Sequence, residues 1–362
     1  MGVEAMTNRR EFLMGVAAVG WSAAFADALA QNALPPKSPL GIGSAAMGAH
    51  SRGVPGVFEG IGNDPIRFVE TCRALGAGGV QAGFSTNLPA IRAKLDELGM
   101  YYEGSAALPA TPDGDTAPFE QSLLNAKALG ATCVRAVSRS IPGGTGRRYE
   151  SYTSYAQYQE WERTANAIIE KVLPIAEKHR IAIALENHKD RAADDHAAFL
   201  KRISSEWLGS LIDPGNNMSF MEEPLHTVTL LAPYAKAVSL KDMGVAPYEE
   251  GFLLSEVVFG TGCTDQKALF EIVRKHNPKI QATEELITRD PLKVPVLTDK
   301  YYSVFPPAKR AERDAWMAMV KAKQTKLPIV SPLSPADQLK AEADNHRATL
   351  AWGVRNITFP KA

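Results

Sequence analysis

Three carboxylates draw attention because each closes a short stretch that reads as a β-strand: Glu186, Asp213 and Glu285. Residues 181–190, IAIALENHKD, show the pattern. Ile181, Ile183 and Leu185 point one way, while Ala182, Ala184 and Glu186 point the other. The branched row suits packing beneath covering helices, and the small row suits a crowded barrel interior. Residues 208–213, LGSLID, end on Asp213 just before Pro214 and Gly215. Residues 280–286, IQATEEL, divide into Ile280, Ala282 and Glu284 on one face and Gln281, Thr283 and Glu285 on the other. The polar row carrying Glu285 is the interior candidate. Over 235–242 the same alternation turns Ala237, Ser239 and Lys241 inward and leaves Val238 and Leu240 for the helices. A single strand-end carboxylate ordinarily caps a helix or pairs with a surface lysine. Three at equivalent places point to chemistry, because active sites of parallel α/β folds are built at the C-terminal mouths of the strands.

Three carboxylates brought together repel one another, and either protonation or a cation must offset the repulsion. A divalent metal does so, and hard oxygen ligands suit ions of the Mg²⁺, Mn²⁺ or Co²⁺ kind. The rival neutraliser is internal: Lys241 points the same way and can pair with two of them. His188, two residues beyond Glu186, reads either as a site residue or as a hydrogen-bonding loop histidine. Arg135 and Arg139 share parity on or near the strand 132–138, and Arg289 follows Glu285. All three arginines are candidate substrate contacts, although arginines at strand ends also serve as surface ion-pair partners.

The elements that must position these residues follow a regular beat. Expected strands at 38–47, 79–84, 101–108, 132–138, 181–187, 208–213, 235–242 and 280–286 alternate with expected helices at 64–75, 88–98, 119–129, 155–178, 195–203, 224–231 and 265–275. Gly99 and Gly130 stop two helices just before the next strand, and Pro65 stands in the first turn of the first one. Eight such units over about 250 residues predict a (β/α)8 TIM barrel. A doubly wound sheet is the runner-up, but no G-x-G-x-x-G turn follows an early strand. The segment 43–62 reads as a Gly-rich loop and 243–264 as a loop around Gly260-Thr261-Gly262. Residues 308–323 are expected to be the last barrel helix. With them the barrel domain spans 38–323, and 324–362 form a C-terminal helical extension that packs on the barrel or on a second copy of the chain.

The chain of 362 residues is 45% hydrophobic and 22% charged, with 40 basic and 40 acidic side chains. This balance argues against nucleic-acid or anionic-membrane partners. Residues 1–30 stand apart: Arg9-Arg10 opens a mostly apolar run, and Ala28-Leu29-Ala30 offers a small-residue cleavage site before a linker at 31–37. The run is too short and too interrupted to span a membrane and reads as a twin-arginine export signal, implying a periplasmic or otherwise exported protein. Three cysteines, Cys72, Cys133 and Cys263, lack metal-type spacing and predict no disulfide framework.

The order of the motifs resembles the xylose-isomerase-like sugar phosphate isomerase/epimerase family of TIM barrels. Leu185-Glu186-Asn187-His188 matches its E-N-H strand end, and Asp213-Pro214-Gly215-Asn216 its D-x-G-N turn. Ser239-Leu240-Lys241-Asp242 matches H-x-K-D, Gly260 to Asp265 matches G-x-G-x-x-D, and Glu285 closes the final strand. The likeness covers roughly 39–299. It implies a metal held by Glu186, Asp213 and Glu285, with Glu186 and Glu285 removing and returning a proton beside a sugar carbonyl through an enediolate. His188, Lys241, Asn216, Arg135 and Ser239 are the implied substrate contacts. In one respect the chain departs from the family: Ser239 stands where the third motif offers a histidine, so His188, water or substrate oxygens complete the metal shell, and Ser239 also reads as a small space-filler. The expected partner is a free sugar or keto-sugar, since an exported enzyme meets few sugar phosphates. A keto-sugar or keto-glycoside lyase or hydratase, and a non-catalytic carbohydrate-binding barrel, are the alternatives.

Overall fold

Small side chains fill the centre of the molecule because eight strands close around a space that only side chains of that size can pack. The computed structural model describes residues 34–358, so the expected signal at 1–30 and the first part of the linker, 31–33, lie outside the described residues. Thirteen strands follow in order: β1 (Leu40–Gly43), β2 (Gly53–Val54), β3 (Phe58–Glu59), β4 (Gly79–Ala82), β5 (Tyr101–Ser105), β6 (Cys133–Ala136), β7 (Ala182–Glu186), β8 (Leu208–Ile212), β9 (Ala235–Leu240), β10 (Asp242–Tyr248), β11 (Gly251–Val257), β12 (Ala282–Glu284) and β13 (Leu292–Val294). Eight of them form a closed parallel barrel in the order β1-β12-β9-β8-β7-β6-β5-β4. The chain is therefore a (β/α)8 TIM barrel, as the alternation of elements predicts.

Strand parity holds where it was read. Cys133, Ala182, Ala184, Leu211 and Ala237 form their own buried cluster inside the ring. Ile181, Ile183, Leu185, Val238 and Leu240 join the large core between strands and helices. The helix Pro65–Leu75 illustrates the local logic. The Asp64 side chain accepts from the Arg67 amide at 3.0 Å, Pro65 takes the first turn, and Gly76 at φ 110° ends the helix in a left-handed conformation. The helix Tyr155–His179 is capped in the same manner by Ser154.

Two segments differ from the expectation. The loop expected after β9 is instead an antiparallel hairpin, β10 with β11, extended by β13. Around this sheet lies a second apolar core that includes Tyr158, Trp161, Phe220, Val245, Phe252, Tyr301, Phe305 and Trp316. Its segments leave the C-terminal ends of β6, β8, β9 and β12, so it forms a cap at that end of the barrel. Arg148 pins it: the guanidinium is 1% exposed, lies 3.3 Å from the Tyr158 ring centre, and donates from Nε to the Val304 carbonyl at 2.8 Å. The second difference concerns the expected last barrel helix at 308–323. It is a 3₁₀ turn, Pro307–Glu312, followed by the helix Arg313–Ala322, and Trp316 and Val320 bury into the cap core rather than against the barrel. The helix Pro335–Asn356 lies against the barrel in its stead, with Ala343 and Leu350 in the main core. The Gly-rich segment 43–62 also carries more structure than a loop, with a short helix, Gly48–Arg52, and the β2–β3 hairpin. Among the described residues no helix is long and apolar enough to cross a membrane.

Candidate active site

The ends of four neighbouring barrel strands supply the site. Glu186 is the last residue of β7, Asp213 follows β8, Lys241 follows β9 and Glu285 follows β12. All four are at least 97% buried. One oxygen from each of Glu186, Asp213 and Glu285 lies within 4.8 Å of the other two. The three acids singled out in the sequence therefore meet at one point. Glu284, on the opposite parity, points outward and pairs with His346 of the C-terminal helix.

Each acid is held by a different device. The Asp213 Oδ1 accepts from the backbone amides of Gly215 at 2.9 Å and Asn216 at 3.1 Å, which leaves Oδ2 for the interior. Asn187 fixes the Asp213 backbone from the adjacent strand end, accepting from its N–H at 2.8 Å and donating to its carbonyl at 2.7 Å. Glu186 accepts from Asn216 Nδ2 at 3.0 Å and pairs with Arg135, which rises from β6 on the same parity. Lys241 Nζ stands 2.8 Å from both Asp213 Oδ2 and Glu285 Oε2.

The charge balance sets the protonation. Three buried acids meet Lys241 and Arg135 at contact distance and feel Lys189 from farther off, and burial and these charges act unequally on the carboxyls. Burial pushes Asp213 up to about 6 even though Lys241 opposes the shift. Burial also pushes Glu285 upward, but Lys241 and Arg135 overcome it and hold the carboxylate at about 2. Lys241 is moved the other way: burial disfavours its charge, yet the Asp213 and Glu285 carboxylates hold its proton well above the usual lysine range.

The residues fit a divalent cation in one specific respect. Glu186, Asp213 and Glu285 each turn one buried oxygen toward a common point, where Arg135 and Lys241 are their partners. Three hard anionic oxygens in that arrangement are a Mg²⁺- or Mn²⁺-type donor set. Lys241 is their internal competitor. Ser239 Oγ lies 3.2 Å from Thr283 Oγ1, deeper in the barrel.

Other expected site residues fall at graded distances from this centre. Asn216 is central, bridging Glu186 to Lys189. His188 is half-buried next to Gly146, and burial together with Lys189 lowers its proton affinity well below the ordinary histidine value. Arg139 donates to the Leu108 carbonyl and does not enter the site. Arg289 pairs with buried Glu256 of β11. The Gly260-to-Asp265 motif is structural. Gly260 and Gly262 donate to Asp242, a Cβ at Gly262 would stand 2.2 Å from its carboxylate, and Asp265 caps the next helix. Lys189 and Glu256 were not foreseen. Lys189 sits in the loop beyond β7, where alternation no longer assigns a direction. Glu256 lies in the hairpin that reads as loop. A cleft of about 440 Å³, lined by Ser44, Asn63, Phe68, Phe84 and Thr86, opens at the same mouth. Ser44 adjoins Gly43, where an added Cβ would lie 3.6 Å from Glu285 Cγ.

Comparison with known proteins adds a family. The model for the xylose isomerase-like TIM barrel matches residues 69–317. The chain is 30% identical over 132 residues to the 3-oxo-isoapionate decarboxylase of Pectobacterium atrosepticum, a match covering 36% of this chain and 48% of that protein. It thus spans about half the length of that relative. An L-ribulose 3-epimerase structure superposes with a TM-score of 0.52 at 15% identity, covering 87% of this chain and 94% of that one. The 3-keto-D-glucoside 4-epimerase of E. coli superposes at 0.49 with 14% identity, over 78% of this chain and 100% of that one.

Proposed function

Because the chain belongs to the xylose isomerase-like TIM-barrel family, we propose that it is a sugar isomerase or epimerase moving a proton beside the carbonyl of a keto-sugar. The observation that carries this reading is the meeting of Glu186, Asp213 and Glu285 at the barrel mouth with Lys241 and Arg135 between them. A buried carboxylate shielded from water is suited to take a proton from carbon. Glu186 is oriented for this by Asn216 and Arg135, and Glu285 by Lys241. One acid removes the proton and the other returns it. Return to the opposite face inverts the centre, and return to the neighbouring carbon isomerises the sugar. Lys241 is the adjustable partner: as its ammonium turns toward the oxygen that gains negative charge, Glu285 recovers basicity. Arg135 is a second fixed donor for that charge. A divalent ion of the Mg²⁺, Mn²⁺ or Co²⁺ type, held by Glu186, Asp213 and Glu285, would polarise the carbonyl when bound.

One observation favours a second reading. The characterised relative is a decarboxylase, and loss of carbon dioxide from a 3-keto acid passes through the same kind of enediolate. A lyase on this site uses the same donors, with Glu186 or Glu285 delivering the closing proton.

The test is solvent-deuterium incorporation into a panel of keto-sugars, followed by mass spectrometry. Exchange is expected from the wild-type protein and should fall about 10²–10⁴-fold in Glu186→Gln and in Glu285→Gln. Undiminished exchange in both variants refutes the proton-transfer roles. We also propose export through the twin-arginine route. Fractionation of cells carrying the wild-type chain and an Arg9→Lys, Arg10→Lys variant tests it, and equal export of the two overturns it.

A further inference from the structure

Three of the cations near the acids are paired with carboxylates, and Lys189 is not. Arg135 pairs with Glu186, Lys241 with Asp213 and Glu285, and Arg289 with Glu256. Lys189 is 3% exposed, as buried as Glu285, yet no carboxylate of the described residues lies within ion-pair distance of its Nζ. Its one hydrogen-bond partner is the neutral Asn216 Oδ1. A buried ammonium has three donors and is costly to hold without an anion. The position is poor for a purely structural lysine as well. Its backbone does the anchoring, since the Lys189 carbonyl accepts from the Arg148 amide at 2.8 Å, and that bond needs no ammonium.

The geometry places this cation at the reacting end of the site. Asn216 donates from Nδ2 to Glu186 and accepts at Oδ1 from Lys189. Lys189 Nζ and the Glu186 carboxylate are therefore held one carboxamide's width apart, at the same strand mouth. A substrate whose C–H faces Glu186 presents its next one or two carbons to Lys189. Lys241 lies close enough to repel it: burial first, and then Lys241, push the Lys189 ammonium down to about 8. An arriving anion relieves both effects.

We infer that Lys189 is the receptor for a carboxylate on the substrate, and that the enzyme acts on a keto-sugar acid in preference to a neutral keto-sugar. This rests on the proton-transfer reading above and adds the substrate class to it. The carboxylate displaces Asn216 Oδ1 as the acceptor at Lys189 or shares the ammonium with it, so the substrate is fixed at one end by charge while Glu186 addresses the neighbouring carbon.

Two matched pairs test the inference, each differing only in a carboxylate replacing a terminal hydroxymethyl group. D-Gluconate and D-sorbitol are unreactive toward proton abstraction and report binding by calorimetry. 5-Keto-D-gluconate and L-sorbose report solvent-deuterium exchange. The wild-type protein should bind gluconate about 10- to 100-fold more tightly than sorbitol, and Lys189→Met should abolish that ratio. Lys189→Arg, which keeps the charge, should retain part of it. In exchange, the acid-to-neutral ratio of kcat/KM should fall by the same factor in Lys189→Met, through KM. Thermal unfolding of each variant verifies folding, and a variant that fails to fold leaves the wild-type ratios and Lys189→Arg to decide. Equal binding of gluconate and sorbitol by the wild-type protein overturns the inference, as does an unchanged ratio in a folded Lys189→Met. Exchange into L-sorbose without preference for the acid defeats the carboxylate receptor and leaves the proton-transfer reading standing. Gluconate binding that depends on Lys189, without exchange into either keto compound, does the reverse.

Discussion

Replacing Lys241 by Met tests the competition at the centre of the site. The ammonium lies 2.8 Å from Asp213 Oδ2 and 2.8 Å from Glu285 Oε2. At an effective dielectric of about 20, each contact is worth about 6 kcal/mol of attraction before the desolvation of the ions is subtracted. Removing one partner of such a buried set costs about 3–5 kcal/mol, because the remaining charges are left uncompensated. Lys241→Met leaves Arg135 as the one cation in ion-pair contact with the three carboxylates. Part of that cost shows as lower stability, and a bound Mn²⁺ recovers it. The Mn²⁺ affinity should therefore rise about 10²- to 10³-fold over wild type, since each 1.4 kcal/mol is tenfold. The methionine is of similar length and apolar, so the space stays filled. Calorimetric titration with Mn²⁺ at pH 7.5 measures the affinity, and thermal unfolding with and without the ion gives the linked stabilisation. A folded Lys241→Met protein that binds Mn²⁺ no more tightly than wild type refutes the reasoning. It would show that the ammonium and the ion do not contend for one place.

Two further outcomes are expected away from the acids. Arg148→Met removes a guanidinium stacked on Tyr158 and Phe305 and its bond to the Val304 carbonyl, so it should destabilise the cap by about 3 kcal/mol; urea unfolding measures this, and a change under about 0.5 kcal/mol contradicts it. His346→Asn should make stability less dependent on pH. Burial disfavours the His346 imidazolium, but Glu284 overcomes this and raises its proton affinity above the ordinary value. A group raised in the folded state stabilises fully below its unfolded value, about 6.5, and loses that contribution as pH rises through the higher folded value. The wild-type advantage in Tm over His346→Asn should accordingly be larger at pH 5.5 than at pH 8.5, and the opposite trend refutes the assignment.

The sequence was most informative where physics imposes a period. In β7 and β12 the alternation of branched and small or polar residues separates Ile183 from Ala184 and Glu284 from Glu285, and the pleat turns that separation directly into inside and outside. Three of the four strand ends of the site could be read in this way. The hairpin β10–β11 could not. Only Lys241 separates β9 from β10, so the two strands read as one, and Gly244, Pro247, Glu249, Glu250 and Gly251 then read as a loop. Lys189 was missed because a loop residue carries no periodic constraint on where it points. The last barrel helix was misplaced because 308–323 and 335–352 are both amphipathic, and only packing shows that Trp316 turns to the cap while Leu350 turns to the ring.

The pairing of β1 with β12 has a consequence for how the protein is made. This seam joins the two ends of the barrel chain, and on it Glu284 is clasped by His346 while Glu285 beside it completes the acidic triad. During synthesis the ribosome releases β1 long before the helix carrying His346. All the barrel strands and the third acid itself are translated before that helix leaves the exit tunnel. A nascent chain stalled short of His346 therefore lacks the partner that clasps Glu284 beside the third acid.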